Sequence, residues 1–351
     1  MLNSLYLEAA KKRNSLKEIL PEIKDENTIS EKWDEIKFDA DLEDFSIAAG
    51  DGSFNKRKFL AFTFYAVCAE SVIFDGEFKT LDDSIINTIE HDSFIDDLLR
   101  LYMSVLETKS ALKTLEYMEV DYYLLDGSLF GDLIRPFPLG INIKNEKREE
   151  LLSKSLDKLE ESTKLFNTKL EAPKIIDEFC KEDNKIDYKM FLTSIEQLLL
   201  LKELLQYNRK IIAISKTSTN RDLFNSNIPD ISIFDKYTRK SGMSKIIYKK
   251  VSDEVPFNFL VENEFFKNQV FTIFYLRLED YKNVIKVELP YKASKKEVLT
   301  IISKIKKYSS EGYPYLLKKA HNDVLISYKD MDTLTSIVNI REKIGREMLK
   351  W

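Results

Sequence analysis

Two short apolar segments of this chain end in the same three residues, Asp-Gly-Ser, and this repetition restricts the fold more than any other sequence feature. Residues 46–53 read Ser-Ile-Ala-Ala-Gly-Asp-Gly-Ser, and residues 122–129 read Tyr-Tyr-Leu-Leu-Asp-Gly-Ser-Leu. Because Asp and Gly are both depleted within strands, each segment is predicted to be a strand that presents an aspartate at its end. A single Asp-Gly is commonly only a turn between strands. Two strands that each deliver a carboxylate at the same kind of end instead predict a metal site that contains Asp51 and Asp126.

The spacing of the apolar residues predicts alternating helices and strands. Strands are predicted at 45–50, 59–69, 70–74, 122–125, 210–214, 271–278 and 284–289, with the first three forming an antiparallel meander and the last two a hairpin. Helices are predicted at 2–20, 94–118, 146–170, 187–206, 295–308 and 330–349, whereas residues 321–328 read as a mixture of turn and strand. The nearly all-apolar segment 122–125 is typical of a strand buried on both faces in the centre of a sheet.

Composition and charge limit the partners and the compartment. The 351 residues carry a net charge of -5, so binding to phosphates must rely on a local basic patch. The two cysteines, Cys68 and Cys180, lie in a predicted strand and a helix-like segment, which indicates buried thiols in a reducing compartment rather than a disulfide or zinc site. The chain shows neither a signal peptide nor the roughly 20 apolar residues of a membrane span. We therefore expect a cytoplasmic protein without membrane contact.

A third carboxylate is a candidate member of the metal site. Glu107 lies in the predicted helix 94–118, and its side of that helix is small or weakly polar: Met103, Ser104, Ser110, Ala111 and Thr114. Such a stripe lets the helix backbone approach the sheet, so a carboxylate there can reach inward. The alternative is a solvent-exposed glutamate, the commoner case for Glu on a helix. Asp51, Glu107 and Asp126 together match the layout of the ribonuclease H-like nuclease fold.

Three neighbouring carboxylates favour a hard divalent cation. Their negative charges repel one another strongly unless cations lie among them. Oxygen-rich sites of this kind favour Mg²⁺ or Mn²⁺. Two such ions roughly 3.5–4 Å apart activate a water molecule and stabilise the leaving 3′-oxygen of a phosphodiester. The sequence therefore predicts two-metal-ion phosphodiester hydrolysis.

The same motifs resemble those of the archaeal NurA nucleases. The resemblance is carried by Ala-Gly-Asp-Gly-Ser at 49–53, Glu107, Leu-Asp-Gly-Ser at 125–128, Ile-Ser-Lys-Thr-Ser at 214–218 and Tyr-Pro-Tyr-Leu-Leu-Lys-Lys-Ala-His-Asn-Asp-Val at 313–324. It extends from about residue 45 to residue 327. It implies an α/β fold with a ribonuclease H-like mixed sheet flanked by helices and carrying helical and β insertions. The nuclease domain is expected at 45–329 with a helical insertion at about 146–207, preceded by a helix and connector at 1–44 and followed by a helix at 330–351.

The resemblance also implies an activity and partners. It implies a manganese-dependent 5′–3′ DNA exonuclease, often with single-strand endonuclease activity, that uses two Mn²⁺ or Mg²⁺ ions. It implies a homodimer that acts on single- and double-stranded DNA ends with HerA, a hexameric DNA-translocating ATPase, in end resection for recombinational repair. Two alternatives stay open: a non-catalytic dimeric adaptor of the ATPase, and another nuclease of the same fold that acts on RNA–DNA hybrids or junctions. The presence of carboxylates at all three positions, Asp51, Glu107 and Asp126, argues against a non-catalytic adaptor.

The resemblance assigns roles to individual residues. The catalytic residues that carry over are Asp51, Glu107, Asp126, Lys216 and His321. The three carboxylates and His321 carry over as metal ligands, and Asp323 is a further candidate ligand. In the alternative, the His-Asn-Asp sequence is a turn from which His321 alone reaches the metal. The other histidine, His91, is expected on the surface.

Two residues within these motifs are candidates for contact with the substrate. Lys216 follows a predicted central strand and is a candidate for holding the scissile phosphate or the attacking water, since lysine is a compact, flexible charge. The alternative is a solvated lysine in a helix-capping loop. Tyr313 is a candidate for stacking on a base or binding phosphate, although an aromatic residue beside proline is as often structural.

A basic segment is the best candidate for contact with DNA. Residues 236–250 contain no acidic residue and carry, among others, Lys236, Arg239, Lys240 and Lys245, with two tyrosines between them. Basic residues interleaved with aromatic ones suit a single-strand track, which we expect to line the channel of a ring-shaped dimer. A solvated charged face is the alternative. Residues 55–58 are predicted to form a basic turn just past the first aspartate, in which Arg57 and Lys58 are candidates for phosphate contact. The apolar run 228–234 is either a partner surface or core.

Overall fold

A ten-stranded mixed sheet forms the centre of the protein. The computed structural model describes residues 2–18, 26–38, 43–135, 142–164, 170–179 and 185–340. The strands of this sheet are β1 (Trp33–Glu35), β2 (Ile47–Lys58), β3 (Thr63–Phe74), β4 (Phe78–Ile89), β5 (Tyr122–Asp126), β6 (Ile211–Ser215), β7 (Gly242–Ser244), β8 (Ile247–Lys250), β9 (Val270–Arg277) and β10 (Ile285–Leu289). β11 (Ser309–Ser310) and β12 (Tyr313–Pro314) form a separate two-stranded sheet.

Helices cover both faces of the central sheet. They are α1 (Asn3–Glu18), α2 (Glu26–Ser30), α3 (Ile95–Tyr117), α4 (Leu129–Ile134), α5 (Asn145–Lys164), α6 (Glu171–Phe179), α7 (Lys185–Gln206), α8 (Asp230–Tyr237), α9 (Val251–Glu254), α10 (Asn263–Lys267), α11 (Lys295–Lys307), α12 (Tyr315–Val324) and α13 (Tyr328–Ile337). The mixed α/β class predicted from the sequence is therefore confirmed. Within the described ranges, no helix is long and apolar enough to cross a membrane.

The order of the strands explains how distant segments reach one edge. The sheet runs β1-β7-β9-β10-β6-β5-β2-β3-β4, and β8 pairs with β9. β2, β3 and β4 form an antiparallel meander, after which α3 returns the chain so that β5 lies parallel to β2. β6 is parallel to β5, so the carboxyl ends of β2, β5 and β6 point the same way. β10 and β9 continue the sheet as antiparallel strands.

Alternate residues of β2 face two different helical layers, as the pleat of a strand requires. Ala48 packs with residues of α3 such as Leu106, on one face. Ala49 packs with residues of α11 and α12 such as Leu317, on the other. Asp51 has the same parity as Ala49 and is directed to the α12 layer, whereas Gly52 is directed to α3.

The first strand of the meander, β2, extends further than the predicted strand at 45–50. β2 continues through Asp51 and Gly52 to Lys58, because each of these residues has a partner on β3. The predicted turn at 55–58 is therefore wrong. The second and third predicted strands, 59–69 and 70–74, are one strand, β3, and the third strand of the meander is β4, which the sequence analysis did not predict. Unbroken antiparallel pairing supplies the backbone hydrogen bonds that offset the low strand propensity of the Gly-Asp-Gly sequence.

The region around His321 is also different from the prediction. It was expected as turn and strand, but His321 lies within α12. Four apolar residues at helical spacing, Leu316, Leu317, Ala320 and Val324, are buried and hold this helix on the sheet. The predicted final helix at 330–349 overlaps α13, which ends at Ile337, and residues 341–349 lie outside the described residues.

The other long elements agree with the prediction within a few residues. α1, α3, α7, α11, β5, β6, β9 and β10 occupy the expected positions, and α5 is described from Asn145 to Lys164, where the described residues stop. Helices α5, α6 and α7 lie between β5 and β6 in the chain, where a helical insertion was expected; the division into domains stays a prediction. Cys68 is a free, half-buried cysteine on β3, and Cys180 lies outside the described residues.

Candidate metal centre

Asp51, Asp126 and His321 meet above the carboxyl end of β5, at the point in β2 where its pairing with β5 ends. Gly50 pairs with Leu125, so the next residues of the two strands, both aspartates, lie side by side. α12 places the imidazole of His321 above them, with Nδ1 2.7 Å from Oδ2 of Asp51. One nitrogen or oxygen atom from each of the three residues lies within 4.8 Å of the others. The predicted pairing of the two aspartates is therefore present in the structure.

The electrostatics of Asp51 are those of a carboxylate that lacks a sufficient counter-charge. Burial raises the pKa of Asp51, and the negative charge of Asp126 raises it further. The contact with His321 and the Gly52 amide, which donates to Oδ1 at 2.8 Å, act in the opposite direction but do not cancel the rise. A bound divalent cation would supply the missing positive charge.

Glu107 approaches the same place from the opposite face of β2. Its carboxylate lies against Gly52: a Cβ added to that glycine would be 2.5 Å from Oε1 and 2.7 Å from Cγ of Glu107. Burial raises the pKa of Glu107 well above its usual value, and the charges of Asp51, Asp132 and Asp126 raise it further. Glu107 is therefore an inward-facing carboxylate next to the two aspartates, although its oxygens lie outside the close three-residue cluster.

Lys216 and Tyr313 complete the cluster. Lys216 follows β6 and its Nζ lies 2.6 Å from Oδ2 of Asp126 and 5.3 Å from the centre of the Tyr313 ring. The Tyr313 hydroxyl is buried and has no hydrogen-bond partner among the described residues. Burial raises the pKa of Tyr313, with a further contribution from the negative charges of Asp126 and Asp51. Both residues predicted for substrate contact therefore lie beside the aspartates.

Asp323 is not brought to this cluster. It forms an ion pair with Lys319 on the same helix, and its charge contributes to the raised pKa of Glu70 on β3. The reason is helical geometry, because a residue two positions after His321 points about 200° away from it around the axis of α12. Of the two readings of His-Asn-Asp, the structure agrees with the one in which His321 alone reaches the aspartates, although it does so from a helix.

The basic segment 236–250 is less positive in three dimensions than in sequence. Lys240 pairs with Asp280 at 2.8 Å, Lys245 with Asp34 at 2.6 Å, and Lys249 with Asp222 at 2.7 Å. β7, which this segment contains, lies four strands from β5 in the sheet. At about 4.8 Å per strand, the segment lies roughly 19 Å to the side of the aspartates.

The remaining candidates for DNA and partner contact also lie away from the cluster. Arg239 donates to the carbonyls of Asp235 and Thr238, and Lys236 lies over the ring of Tyr237. Arg57 pairs with Asp332 of α13, and six residues of extended strand, about 20 Å, separate it from Asp51. Lys58 is the exposed last residue of β2.

The apolar run 228–234 belongs to the interior. Ile231, Ile233 and Phe234 are buried in a cluster with Trp33 and Tyr275. Of the two interpretations of this run, core is therefore correct and a partner surface is not. His91 is exposed, as expected, and its ring nitrogens contact Thr63 and the carbonyl of Leu60.

An ion pair that the sequence analysis missed lies directly beneath the second aspartate turn. Lys286 and Glu288 of β10 are 4% and 0% exposed, with Nζ 2.6 Å from Oε1. The strand reads Ile-Lys-Val-Glu-Leu, an alternation typical of one solvated face. The signal that β10 is covered on both faces lies in its hairpin partner β9, whose sequence is apolar at nearly every position.

A cavity of about 600 Å³ opens beside the N-terminal half of α3. Its floor is mainly apolar, with leucines of α3 and α7 and Phe257 and Phe259. Its two arginines are each paired with an aspartate, Arg100 with Asp97 at 3.4 Å and Arg135 with Asp132 at 3.8 Å. The cavity therefore offers no unpaired arginine for a phosphate among its described lining residues.

The donor atoms at the cluster fit a manganese or magnesium ion. Carboxylate oxygens suit both ions, and an imidazole nitrogen is a good ligand for the transition metal of the two. Burial and mutual repulsion raise the pKa values of Asp51 and Glu107, which is the expected result when carboxylates are gathered without their cation. Asp51, Asp126 and His321 are the residues whose donor atoms lie close enough together to hold such an ion, and Glu107 lies next to them.

The stabilisation of the protein by Mn²⁺ is expected to increase with pH. Because the folded-state pKa values of Glu107 and Asp51 are raised, the metal-free folded protein keeps protons that the unfolded chain has lost. Its stability therefore falls as the pH rises from the usual pKa of a carboxylate through these raised values. Metal binding needs the deprotonated groups and strengthens over the same range. Melting temperatures recorded with and without Mn²⁺ should diverge as the pH rises, and a pH-independent difference would contradict this assignment.

Comparisons with known proteins give the family. A family model described as the NurA domain matches residues 45–326. A probable DNA double-strand break repair nuclease NurA of Methanocaldococcus jannaschii is 34% identical over 343 residues, covering 92% of this chain and 85% of the relative. The DNA double-strand break repair nuclease NurA of Saccharolobus solfataricus is 28% identical over 361 residues, covering 100% of this chain and 98% of the relative.

Solved structures show the same fold. The crystal structure of the NurA nuclease from Sulfolobus solfataricus superposes with a TM-score of 0.75 at 26% identity, covering 97% of both chains. A crystal structure of NurA bound to dAMP and manganese superposes with a TM-score of 0.67 at 19% identity, covering 100% of both chains, and at that identity the likeness concerns the fold alone. Since the family model spans most of the chain and a relative above 30% identity covers nearly all of it, the chain belongs to the NurA domain family.

Proposed function

We propose that this protein is a metal-dependent DNA nuclease that hydrolyses phosphodiester bonds with two Mn²⁺ or Mg²⁺ ions. The observation that carries the proposal is the meeting of Asp51, Asp126 and His321, whose ligand atoms lie within 4.8 Å of one another. Glu107 is the fourth ligand in the proposal, reaching the site past Gly52. The family relatives named as DNA double-strand break repair nucleases support a nuclease acting on DNA, and the NurA structure with manganese supports that metal.

The fold supports a ribonuclease H-like arrangement of the site. Three antiparallel strands, a helix and two parallel strands follow one another as β2, β3, β4, α3, β5 and β6. This order puts one aspartate on the first strand and the second on the adjacent parallel strand, with the glutamate on the intervening helix. It is the layout expected for this nuclease fold, and the two aspartates share one face of the sheet.

The mechanism follows from what each residue can bind or move. The metal ions, when bound, would activate water and stabilise the leaving 3′-oxygen. Asp51 and Asp126 would hold the ions from one face of the sheet, with His321 approaching from α12. Lys216, whose Nζ lies 2.6 Å from Oδ2 of Asp126, is placed to bind the scissile phosphate beside that carboxylate. The Tyr313 hydroxyl, which finds no hydrogen-bond partner in the described part of the chain, is placed to donate to a phosphate oxygen at the same edge.

The finer features of the activity rest on the family resemblance. We infer 5′–3′ exonuclease action with single-strand endonuclease activity, a cytoplasmic homodimer, and joint action with a HerA-type hexameric ATPase at DNA ends. The basic segment 236–250 is proposed to help track the strand, although its lysines are largely paired with acidic residues. The non-catalytic adaptor is the alternative.

Digestion of labelled DNA tests the proposed function. Single- and double-stranded DNA labelled at the 5′ or the 3′ end should be degraded by the wild-type protein with Mn²⁺ and left intact with EDTA. The order in which labelled products appear gives the polarity. Cleavage that persists in EDTA would contradict a metal mechanism, and binding to the ATPase without cleavage under any divalent metal would favour the adaptor.

Two lysines are expected to differ sharply in their effect on cleavage. Lys216→Ala should lower the cleavage rate about 10- to 100-fold, because a hydrogen bond to a charged group contributes about 1.5–3 kcal/mol. Lys79→Ala should change it less than about threefold, since Lys79 of β4 is paired with Asp75 and lies two strands from β2 in the sheet. Both lysines are similarly exposed, 47% and 49% for their side chains, so the pair is matched for effects on folding. Equal losses of cleavage rate in the two variants would contradict the placement of the substrate beside the aspartates.

A further inference from the structure

The buried pair Lys286–Glu288 is built into the turn that follows Asp126. Oε1 of Glu288 accepts a hydrogen bond from Oγ of Ser128 at 2.6 Å, and Oε2 accepts from the Phe130 amide at 2.9 Å. Lys286 donates to the same Ser128 hydroxyl at 3.0 Å. Ser128 caps α4, where its Oγ accepts from the Gly131 amide at 2.9 Å. Every hydrogen-bonding site of the Ser128 hydroxyl is therefore used.

The turn between Asp126 and Ser128 has little other support. Gly127 has a φ of +135°, a conformation that favours glycine, and a Cβ there would meet nothing within 4 Å. On one side of the turn, the Gly127 amide donates to the carbonyl of Ile214 at 2.9 Å. On the other side, the contacts of Ser128 and Phe130 with Glu288 fix the direction of the chain. These two anchors fix the chain directly after Asp126, whose backbone is placed beside Asp51 by the pairing of β5 with β2.

The energetics argue that this pair does more than stabilise the fold. Removing two charges from water is costly, and a buried ion pair commonly contributes no more stability than apolar side chains of similar volume. Apolar residues already fill the opposite face of β10, where Ile285, Val287 and Leu289 pack against the α11 layer. A charged pair supplies directional hydrogen bonds that apolar side chains lack, and such bonds orient groups that hold a metal.

We propose that Lys286 and Glu288 are positioning residues for the metal ligand Asp126, acting through Ser128. The proposal rests on the proposed function only in taking Asp126 as a metal ligand. Its specific consequence is that loss of the pair weakens metal binding without an equal loss of stability.

A neutral double variant tests this on the full-length protein. In Lys286→Met/Glu288→Gln, the glutamine keeps an acceptor for the Phe130 amide, and neither charge is left buried alone. The dissociation constant for Mn²⁺, measured by calorimetry without DNA, should rise about 10- to 100-fold, the usual effect of removing a group that orients a metal ligand. The melting temperature of the metal-free protein should change by only a few degrees, and cleavage should recover at high Mn²⁺ concentration.

The protein contains a matched control. Lys109 of α3 and Glu196 of α7 form a second buried pair, 1% and 0% exposed with Nζ 2.7 Å from Oε1, and Glu196 accepts from the amide of Ala172 at 2.9 Å. Lys109 points about 200° away from Glu107 around α3. Lys109→Met/Glu196→Gln therefore removes an equivalent pair away from the aspartates, and its Mn²⁺ dissociation constant should stay within about twofold of the wild type.

A single substitution decides the matter if the double variant does not fold. Ser128→Ala removes the hydroxyl and leaves the Lys286–Glu288 contact itself in place; it should also weaken Mn²⁺ binding, and Ser128→Thr should restore it. Unchanged Mn²⁺ affinity in the folded double variant or in Ser128→Ala would overturn the proposal. An equal loss of Mn²⁺ affinity in the control variant Lys109→Met/Glu196→Gln would also overturn it. Wild-type protein that binds no Mn²⁺ would overturn the proposed function and this inference with it.

Discussion

Asp51→Asn is expected to abolish cleavage while making the metal-free protein more stable. The substitution removes one of the central metal ligands, and a metal ion contributes several kcal/mol to transition-state stabilisation, so the rate should fall about 10³-fold or more. Stability should rise because burial and the charge of Asp126 raise the pKa of Asp51, which means that the ionised form is unfavourable in the metal-free fold. The asparagine still accepts the Gly52 amide hydrogen bond. Cleavage rates with Mn²⁺ and melting temperatures in EDTA measure the two effects.

Asp323→Asn is the matched comparison for this variant. It makes the same chemical change two residues from His321, at a side chain that pairs with Lys319 rather than with the aspartates. Its cleavage rate should stay within about twofold of the wild type. A large loss in Asp323→Asn, or a destabilised Asp51→Asn, would show that the ligands are assigned incorrectly.

Gly52→Ala should displace Glu107 and impair the site from the other face of the sheet. The new Cβ would lie 2.5 Å from Oε1 of Glu107 and 2.9 Å from Cγ of Met103, both far inside normal contact distance. Overpacking of this kind lowers the free energy of unfolding by about 1–3 kcal/mol. Cleavage should fall about 10- to 100-fold, as is usual when a metal ligand is moved out of position. Urea unfolding and Mn²⁺-dependent cleavage of the same preparation measure both quantities.

Shortening the glutamate separates the two effects of Gly52→Ala. In Gly52→Ala/Glu107→Asp, the carboxylate is one methylene shorter and the contact with the new Cβ is relieved. The double variant should recover stability relative to Gly52→Ala but not the cleavage rate, giving a large coupling energy between the two positions. Additive losses in stability would mean that Glu107 does not occupy the space above Gly52.

Most residues of the candidate site could be predicted from the sequence because they lie at positions with strong local sequence patterns. Asp51 and Asp126 follow apolar runs and precede Gly-Ser, and parallel pairing of β2 with β5 places them side by side. The small residues around Glu107 on α3 indicated an inward-facing carboxylate. Family motifs added Lys216, Tyr313 and His321, and the structure places two of these three in direct contact with an aspartate.

The errors in the prediction have a common physical cause, which is that long-range partners override local preference. β2 runs through Gly-Asp-Gly because β3 pairs with all twelve of its residues. The segment that contains His321 is helical because four apolar side chains dock on the sheet.

The pairing and burial of charged residues are likewise determined by distant parts of the chain. The lysines of 236–250 are paired with acidic residues from other parts of the chain, such as Asp34 and Asp280. Lys286 and Glu288 are buried because α4 covers a face that the alternation of β10 would leave in water. Neither pairing nor burial of this kind is encoded in neighbouring residues, so a single sequence does not reveal them.

Anomalous diffraction from crystals grown with Mn²⁺ tests the central claim most directly. Data collected at the manganese absorption edge should give a strong difference peak within coordination distance of Asp51, Asp126 and His321, and a second peak on the side of Glu107. The Asp51→Asn protein under the same conditions should lose the first peak. A wild-type map without density at the three residues, or with manganese bound only elsewhere, would contradict the assignment of this cluster as the metal centre.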